Sequence, residues 1–417
     1  MDIIRVPEYQ LLAGQPLPRQ TAQVLRDRFD KYVTVTPSFE VPGTFDLQAG
    51  DWVGQIVVSE TCIVIEPKTP VNNLFYMLTY AYKLPRFQRE PFPFRVSEDL
   101  LEMVVLIFAR QVENLVRKGI YRSYVAREEN LPILRGRLLL DKQVRRNPAQ
   151  LHRFFTRRDE FTADVLENRL LKVVIFLLSR LEYHQPDMRR RLRRLLRAFD
   201  EVSLQPIVRD DFDRVLYGRL NQHYETVHNL ARLLWEHLSL ESYEGEHAFV
   251  SYLLHMWQVF EVFVAEYLSE FFSGVPGVDV APQQNIWLDV EQRVKGVPDI
   301  VIKVNDRPAL VLDTKYKLIR TKPSEDDFYQ MIAYCHRLGL RSGILVYPGG
   351  VPPDKFVFND ITVEVRSLDL TGDLPTFRSR CHAFAEELHR VVINRSVATY
   401  EPVPATLSPT LYKERLR

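Results

Sequence analysis

The sequence predicts a multidomain α+β protein: a β-rich N-terminal region, a helical middle and a C-terminal α/β region. Three observations predict it. A chain of 417 residues exceeds the roughly 100 to 200 residues that one core usually organises. The apolar period changes from strand-like to helical near residue 70, and mixed helix and strand follow the glycines and proline at Gly274, Pro276 and Gly277. Apolar residues at 46% and charged residues at 26% are ordinary values for a folded, soluble chain.

The first region, 1–70, shows short β-type runs at residues 32–36, 52–54, 56–58 and 63–65, the last two flanking Ser59-Glu60-Thr61. Residues 17–29 interrupt them with a helical period (Leu17, Val24, Leu25, Phe29), which predicts a short helix or a projecting insertion. From Asn72 the helical period takes over, with Leu74, Phe75, Leu78 and Tyr82 on one side. Long helical patterns continue at 100–116, 164–181, 186–199 and 220–238, so 71–246 reads as a helical domain. A polar stretch, 241–246, precedes an apolar segment, 249–272, read as one helix opening a third domain, 247–417. Within that domain, strand, strand, helix and strand are expected at about 298–304, 309–316, 326–338 and 342–347.

Several function classes are excluded or disfavoured. The residues Met1-Asp2-Ile3-Ile4-Arg5 lack the apolar core of a signal peptide, and apolar runs such as 173–178 are far too short to cross a bilayer, so no membrane role is expected. Cys62, Cys335 and Cys381 lie far apart without C-x-x-C spacing, which fits neither a disulfide framework nor a zinc site and points to the cytoplasm. No glycine is followed by lysine, so there is no phosphate-binding loop of the G-x-x-x-x-G-K-[ST] type, and any nucleotide-driven step needs a partner. The net charge of +1 averages over unlike regions, arginine being concentrated in the middle.

The chemistry-bearing segment reads Val297-Pro298-Asp299-Ile300-Val301-Ile302, a turn-prone Asn305-Asp306-Arg307-Pro308, then Ala309-Leu310-Val311-Leu312-Asp313-Thr314-Lys315. Asp313 and Lys315 are two apart on a strand and share a face. A hairpin loop with an odd number of residues, such as 304–308, sets Asp299 directly across from Asp313; an even loop sends it to the other face. Two carboxylates on one face repel unless a cation sits between them, and oxygen ligands with open water positions suit Mg²⁺ or Mn²⁺. Such a metal polarises a phosphoryl oxygen and activates water, while Lys315 orients that water or neutralises the transition state.

Alone the motif is only moderately specific. Its context is what counts: both strands are apolar except at these positions, and a buried strand has no packing reason to carry Asp and Lys together. The pattern is similar to the signature of the PD-(D/E)XK restriction-endonuclease-like fold. Downstream, Ser324 and Asp327 are placed to cap a helix on which Gln330 and Tyr334, spaced i, i+4, share a face. Gln-x-x-x-Tyr after the Asp-x-Lys strand resembles several nuclease branches, although Tyr334 as packing and Gln330 as solvated surface fit equally. Upstream, Glu261 sits on an otherwise apolar helix, where nucleases of this type often place a further metal-shell carboxylate; an exposed helix-face glutamate is the alternative.

Over most of its length the sequence resembles the McrC family, the nuclease subunits of McrBC-type, 5-methylcytosine-dependent restriction systems. The segments that carry the resemblance are Ile65-Glu66-Pro67-Lys68, Asn73-Leu74-Phe75-Tyr76-Met77-Leu78-Thr79-Tyr80-Ala81, Arg135-Gly136-Arg137, Asp159-Glu160-Phe161-Thr162-Ala163-Asp164, Glu167-Asn168-Arg169-Leu170 and Phe260-Glu261-Val262-Phe263-Val264. The resemblance implies binding to an AAA+ GTPase of the McrB type, expected as a hexameric ring, with the N-terminal part stimulating hydrolysis. It also implies Mg²⁺-dependent cutting of double-stranded, methylated DNA by the C-terminal domain. Val297 stands where the family often carries arginine, which leaves Asp299 in place but removes a phosphate contact.

Two basic groups remain. Arg189, Arg190, Arg191, Arg193, Arg194 and Arg197 lie beside an apolar stripe of Met188, Leu192, Leu195, Leu196 and Phe199, leaving a cationic face. Arg189, Arg190, Arg193, Arg194 and Arg197 are the candidate DNA contacts, a solvated or acidic-partner face being the alternative. Arg145, Arg146, Arg153, Arg157 and Arg158 form the second group. The histidines, among them His152, His223, His228 and His255, show no ligand or nucleophile–base pattern and read as packing or surface. Three function classes follow: a catalytic nuclease subunit, an activator of a nucleotide-hydrolysing ring with an incidental nuclease fold, and a DNA-binding adaptor. The intact Asp299, Asp313 and Lys315 set speaks against the last.

Overall fold

The computed structural model describes residues 2–84, 100–150, 152–181, 183, 185–242, 248–317 and 323–398. Contacts divide the chain into two compact units, Met1–Val71 with Tyr82–His255, and Asn72–Ala81 with Met256–Arg417. The architecture is mixed α+β, as expected, but its division differs from the three sequence segments. Strand pairing and one helix are the reasons.

In the first unit a five-stranded sheet runs in the order Asp2–Pro7, Thr61–Glu66, Trp52–Val58, Ala248–His255, Leu238–Ser242, parallel at the first pair and antiparallel thereafter. Its last two strands come from beyond the helices, so the β-rich start and the helical middle share one unit. The segment 249–272 is therefore not a single helix: Ala248–His255 is a strand, and Met256–Phe272 is the helix. Tyr252, Leu253 and Leu254 are buried in succession, and a strand covered on both faces gives a continuous apolar run that periodicity cannot distinguish from a helix. The pairing also requires glycine at position 54, where φ is +138° and a Cβ would meet the Tyr252 carbonyl at 1.9 Å. The polar stretch 241–246 lies largely outside the described residues.

A second sheet, Leu11–Gln15, Phe45–Ala49, Val33–Pro37, packs with the helix Arg19–Phe29, whose Ala22, Leu25 and Phe29 enter one core with Val35, Leu47, Ile56 and Ile63. The helices Leu100–Lys118, Leu166–Leu178, Pro186–Ala198 and Glu225–His237 pack on one another as the 3.6-residue period predicts. Between them stands a three-stranded sheet that the sequence did not suggest: Ser123–Leu131, Phe154–Thr162, Arg137–Leu138. Its apolar alternation is missing because ion pairs occupy one face, Arg127 with Glu160 at 2.7 Å and Arg158 with Glu129 at 3.1 Å.

The second unit is built on a six-stranded sheet in the order Val278–Pro282, Ile300–Val304, Arg307–Thr314, Ser342–Tyr347, Ile361–Ser367, Asp354–Phe358, parallel at its centre and antiparallel at both edges. The helix Glu325–Leu338 covers one face, with Phe328, Met331, Tyr334 and Cys335 against Val301, Val311, Leu345 and Val363. It begins at Ser324, whose N–H donates to Asp327 Oδ2 at 3.2 Å, and ends at Gly339 in a left-handed conformation. Ile300, Ile302, Leu310 and Leu312 alternate to the other face, where Met256–Phe272 and Leu374–Ala398 pack.

The helix Val71–Ala81 was expected to show one apolar side and to begin the helical middle. Instead every residue from Asn73 to Tyr80 is buried, and all but the first residue of the helix belongs to the second unit. Asn73 Nδ2 donates to the carbonyls of Leu370 and Gly372 at 2.9 and 3.0 Å, while Tyr76 and Tyr80 meet Phe263 edge-on. Cys62, Cys335 and Cys381 are buried and form no disulfide. Among the described residues no helix is long and apolar enough to cross a membrane.

Candidate active site

The site is set by the register of the hairpin Ile300–Val304/Arg307–Thr314. Its loop is the two-residue Asn305-Asp306, both at positive φ (49° and 63°), and Val304 pairs with Arg307. An even loop by itself would turn Asp299 away from Asp313. A one-residue bulge corrects this: Lys303 pairs with Pro308, but Ile302 pairs with Leu310, leaving Ala309 unpaired. Pro308 has no N–H to give the ladder, which favours an irregularity beside it. From there Ile300 pairs with Leu312, and one further step sets Asp299 opposite Asp313 on the face that carries Val311, toward the helix Glu325–Leu338.

Asp299 and Asp313 are both buried, at 8% and 1% exposure. Asp299 Oδ2 accepts from the Thr314 backbone N–H at 2.6 Å and from Thr314 Oγ1 at 2.7 Å. Asp313 Oδ2 pairs with Lys315 Nζ at 2.5 Å. Lys315 Nζ donates onward to Gln330 Oε1 at 2.9 Å, and Gln330 Nε2 donates to the Tyr334 hydroxyl at 2.8 Å. Gln330 and Tyr334 thus form a chain that ends on the lysine, with Gln330 exposed and Tyr334 buried. The helix-face glutamate is not exposed either: Glu261 is 3% accessible, its Oε1 accepts from Gln283 Nε2 at 2.7 Å, and its Oε2 is buried and accepts no hydrogen bond among the described residues.

These carboxyls hold their protons unusually well. Burial pushes Asp313 far above the ordinary range, the neighbouring Asp299 charge adds to it, and Lys315 pulls it partly back. Asp299 is raised by burial despite its bonds from Thr314, and Glu261 by burial and then by the Asp299 charge. Burial works against the Lys315 ammonium, yet the fields of Asp313, Asp299 and Asp327 outweigh it and leave its pKa raised. Three buried carboxyls strained toward neutrality, beside one fixed cation, are a donor set that a divalent cation would relieve. As the side chains stand, no three His, Cys, Asp or Glu among the described residues converge closely enough to cage an ion. The orphaned Glu261 Oε2 and the Asp299–Asp313 pair are nonetheless the oxygens such an ion would draw on.

Thr314 and Gln283 were not singled out by sequence. Thr314 lies inside Asp-Thr-Lys, where a hydroxyl reads as an ordinary strand residue. Gln283, just past Val278–Pro282, takes φ +47° and donates its N–H to the Asp299 carbonyl at 2.9 Å; a lone glutamine after a strand carries no signal.

The candidate DNA-contact arginines lie in the first unit, on Pro186–Ala198. Arg190, Arg193, Arg194 and Arg197 are exposed, while Arg189 is half-buried and reaches the Ser179 carbonyl. Arg191 is held by both oxygens of Glu113. Two of the histidines are held by protein groups: His228 is buried between Tyr217 and the Glu167 carbonyl, and His255 pairs with Asp51 and stacks on Trp52.

Comparison with known proteins places these features in context. A family described as "McrBC 5-methylcytosine restriction system component" matches residues 47–348. The Type IV methyl-directed restriction enzyme EcoKMcrBC of Escherichia coli strain K12 is 21% identical over 306 residues, covering 68% of this chain and 87% of that protein. Among solved structures, the assembly of Thermococcus gammatolerans McrB AAA+ hexamers with bound McrC aligns with a TM-score of 0.58 at 21% identity, covering 92% of this chain and 99% of that chain.

Proposed function

Because the chain belongs to the family of McrBC 5-methylcytosine restriction system components, we propose that its second unit is a PD-(D/E)XK nuclease that hydrolyses phosphodiesters in double-stranded, methylated DNA. The observation that carries this reading is the bulge at Ala309. It brings Asp299 across from Asp313, in a buried setting that raises both carboxyls. A structural ion pair would have no need of a second carboxylate opposite it.

Mg²⁺, or Mn²⁺ in its place, would be held by Asp299 and Asp313, with Glu261 as the third carboxylate; when bound it supplies Lewis-acid polarisation of a phosphoryl oxygen and acidifies water. The chain's own residues do the rest. Thr314 fixes Asp299 by two donors, so its carboxylate cannot rotate out of the site. Gln330 and Tyr334 steady the Lys315 ammonium at the edge of the pair, where it orients the attacking water or meets charge developing on the phosphate. Glu261 is steadied in the same way by Gln283.

Without a phosphate-binding loop of its own, the chain works with an AAA+ GTPase ring of the McrB type, in the cytoplasm. The first unit binds and stimulates that ring, and the arginine face of Pro186–Ala198 contacts DNA. The opposing reading is an activator whose nuclease fold is incidental. The raised carboxyls argue against it, since an idle site would shed buried like charges at no cost to folding.

The test is Asp313→Asn in the full chain with its ring partner and methylated DNA. Cleavage should fall by at least about three orders of magnitude, near 4 kcal/mol of transition-state stabilisation, with ring binding and GTP turnover retained. Undiminished cutting by this variant would remove the assignment.

A further inference from the structure

Lys315 stands at the end of its strand, and a device outside the carboxylate pair holds it there. Its N–H donates to the Val346 carbonyl at 2.8 Å, the last bond among the described residues that ties this strand to the parallel Ser342–Tyr347. Two residues on, the Lys317 N–H turns back to the Lys315 carbonyl at 3.1 Å, so the chain leaves the sheet at once. A residue at such an end has lost the ladder on one side and frays unless its tail is anchored. Here the tail is anchored twice. Tyr316 is buried, its ring 5.8 Å from that of Phe260 on the helix Met256–Phe272, and Lys317 reaches the helix Glu325–Leu338 on the other face of the sheet.

There Lys317 Nζ pairs with Asp327 Oδ2 at 2.5 Å and donates to Ser324 Oγ at 3.1 Å. The same Asp327 oxygen accepts from the Tyr347 hydroxyl at 3.0 Å and from the Ser324 N–H at 3.2 Å. Capping the helix needs only the last of these bonds, and a capping carboxylate has no need of burial. Asp327 is nevertheless 5% exposed and bonded to the tail of one strand and the end of the next. Asp327, Gln330 and Tyr334, spaced i, i+3, i+7, share one stripe of the helix, and Lys317 and Lys315 meet its first two members in turn. Two rungs thus join strand tail and helix. The Lys315–Gln330 rung is exposed and ends on a neutral amide, whereas the Lys317–Asp327 rung ends on a buried carboxylate held from three sides. The charged, multiply bonded rung is the stiffer one and sets the register of the other.

We propose that Lys317 and Asp327 are positioning residues, a clamp that holds the end of the strand so that Lys315 meets the carboxylate pair and Gln330 in one register. The clamp rests on the nuclease reading and goes beyond it, since neither residue touches the reacting atoms. The test uses the full chain with its ring partner and methylated duplex. It compares Lys317→Met, which keeps the stem and removes the charge, with Lys317→Arg, which keeps both. A misplacement of about 1 Å costs on the order of a hundredfold, so Lys317→Met should slow single-turnover cutting by roughly ten- to a hundredfold, and Lys317→Arg should restore most of it. Duplex affinity and its salt dependence, measured in the Asp313→Asn background so that nothing is cut, should stay at parental values. The deciding comparison is made in Lys315→Ala, whose residual cutting Lys317→Met should leave unchanged because the clamp acts through that lysine. Cutting by Lys317→Met at the parental rate would overturn the inference, and so would a further fall in the Lys315→Ala background, the mark of a general loss of structure. Weaker duplex binding with the salt slope lowered by about one would overturn it too, by making Lys317 a phosphate contact. Cutting that survives Asp313→Asn strikes the nuclease reading itself, whereas Lys317→Met at the parental rate beside an inert Asp313→Asn strikes the clamp alone.

Discussion

Asp164 in the first unit and Asp313 in the second are both largely buried aspartates with a basic neighbour, and they are stabilised in opposite senses. Asp164 Oδ1 accepts from Arg169 Nε at 2.7 Å, from the Ser203 N–H at 2.9 Å and from Ser203 Oγ at 2.8 Å. The Arg169 guanidinium, aided by Ser203, holds its carboxyl far below the usual range. Asp313 has one cation, Lys315, and a second carboxylate opposite it; burial and that neighbour hold its carboxyl far above the usual range. A satisfied buried charge supports the fold. A frustrated one is the pattern that binding sites for outside groups show.

The comparison can be broken most severely at Lys315. Lys315→Ala should reduce DNA cleavage by about 100- to 1,000-fold, by analogy with the roughly 2.7–4 kcal/mol lost with one oxyanion-hole donor, while thermal stability changes little. Cleavage and melting are measured on the same preparation. A large fall in melting temperature would class Lys315 with Arg169, as a structural counter-ion.

Next in size is Asp164→Ala, which leaves Ser203 and the Arg169 Nε without their carboxylate acceptor, while Arg169 keeps its bond to the backbone carbonyl of residue 164. The variant should lose about 2–3 kcal/mol of stability in denaturant titration, somewhat less than for a fully buried pair because Arg169 keeps partial solvent access. Stability within 0.5 kcal/mol or so of the parent would deny the network its structural role. For this group the sign is that of a depressed carboxyl: its contribution is present above the unfolded pKa near 3.9 and fades as pH falls below it.

How much of this was legible in the sequence follows the same divide. Asp299, Asp313 and Lys315 could be read because two otherwise apolar strands carry them, and charge in a buried strand is conspicuous. Their alignment could not be. Loop length left both faces open in the sequence; the observed two-residue loop, Asn305-Asp306, would by itself turn Asp299 away, and the unpaired Ala309 next to Pro308 restores it. Helices with one wet face, such as Pro186–Ala198, showed their period, whereas Asn73–Tyr80 and Tyr252–Leu254, buried on all sides, gave none. The sheet at 123–162 was hidden because its strands alternate charge with charge.

A smaller effect separates the units by pH. His228 lies wholly inside the first unit; since the Glu167 carbonyl only accepts, Nε2 must carry the proton and Nδ1 accepts from the Tyr217 hydroxyl, so the native state needs the neutral ring. Burial pushes its pKa down to about 4. A depressed histidine contributes stability that is complete above the unfolded pKa near 6.5 and is lost as pH falls toward 4. By about pH 5.5 the loss should reach roughly 1.4 kcal/mol, and His228→Gln should flatten that limb of the stability curve. A curve equally steep in the variant would place the acid sensitivity elsewhere.

The smallest effect runs against the usual expectation for a buried charge. Because the Asp313 carboxyl is raised in the folded state, its ionised form costs the fold stability at every pH above the unfolded pKa. Removing that charge should therefore stabilise the metal-free protein. Asp313→Asn, compared with the parent in chelator at pH 8, should unfold at slightly higher denaturant concentration, by about 1 kcal/mol; the gain is held down because Lys315 loses a partner and keeps only Gln330 and the Asp299 field. Divalent metal should reverse the order, since only the parent has the carboxylate pair whose repulsion an ion relieves. If Asp313→Asn were the less stable protein in chelator, Asp313 would be a structural ion-pair partner like Asp164, and the contrast between the two units would vanish.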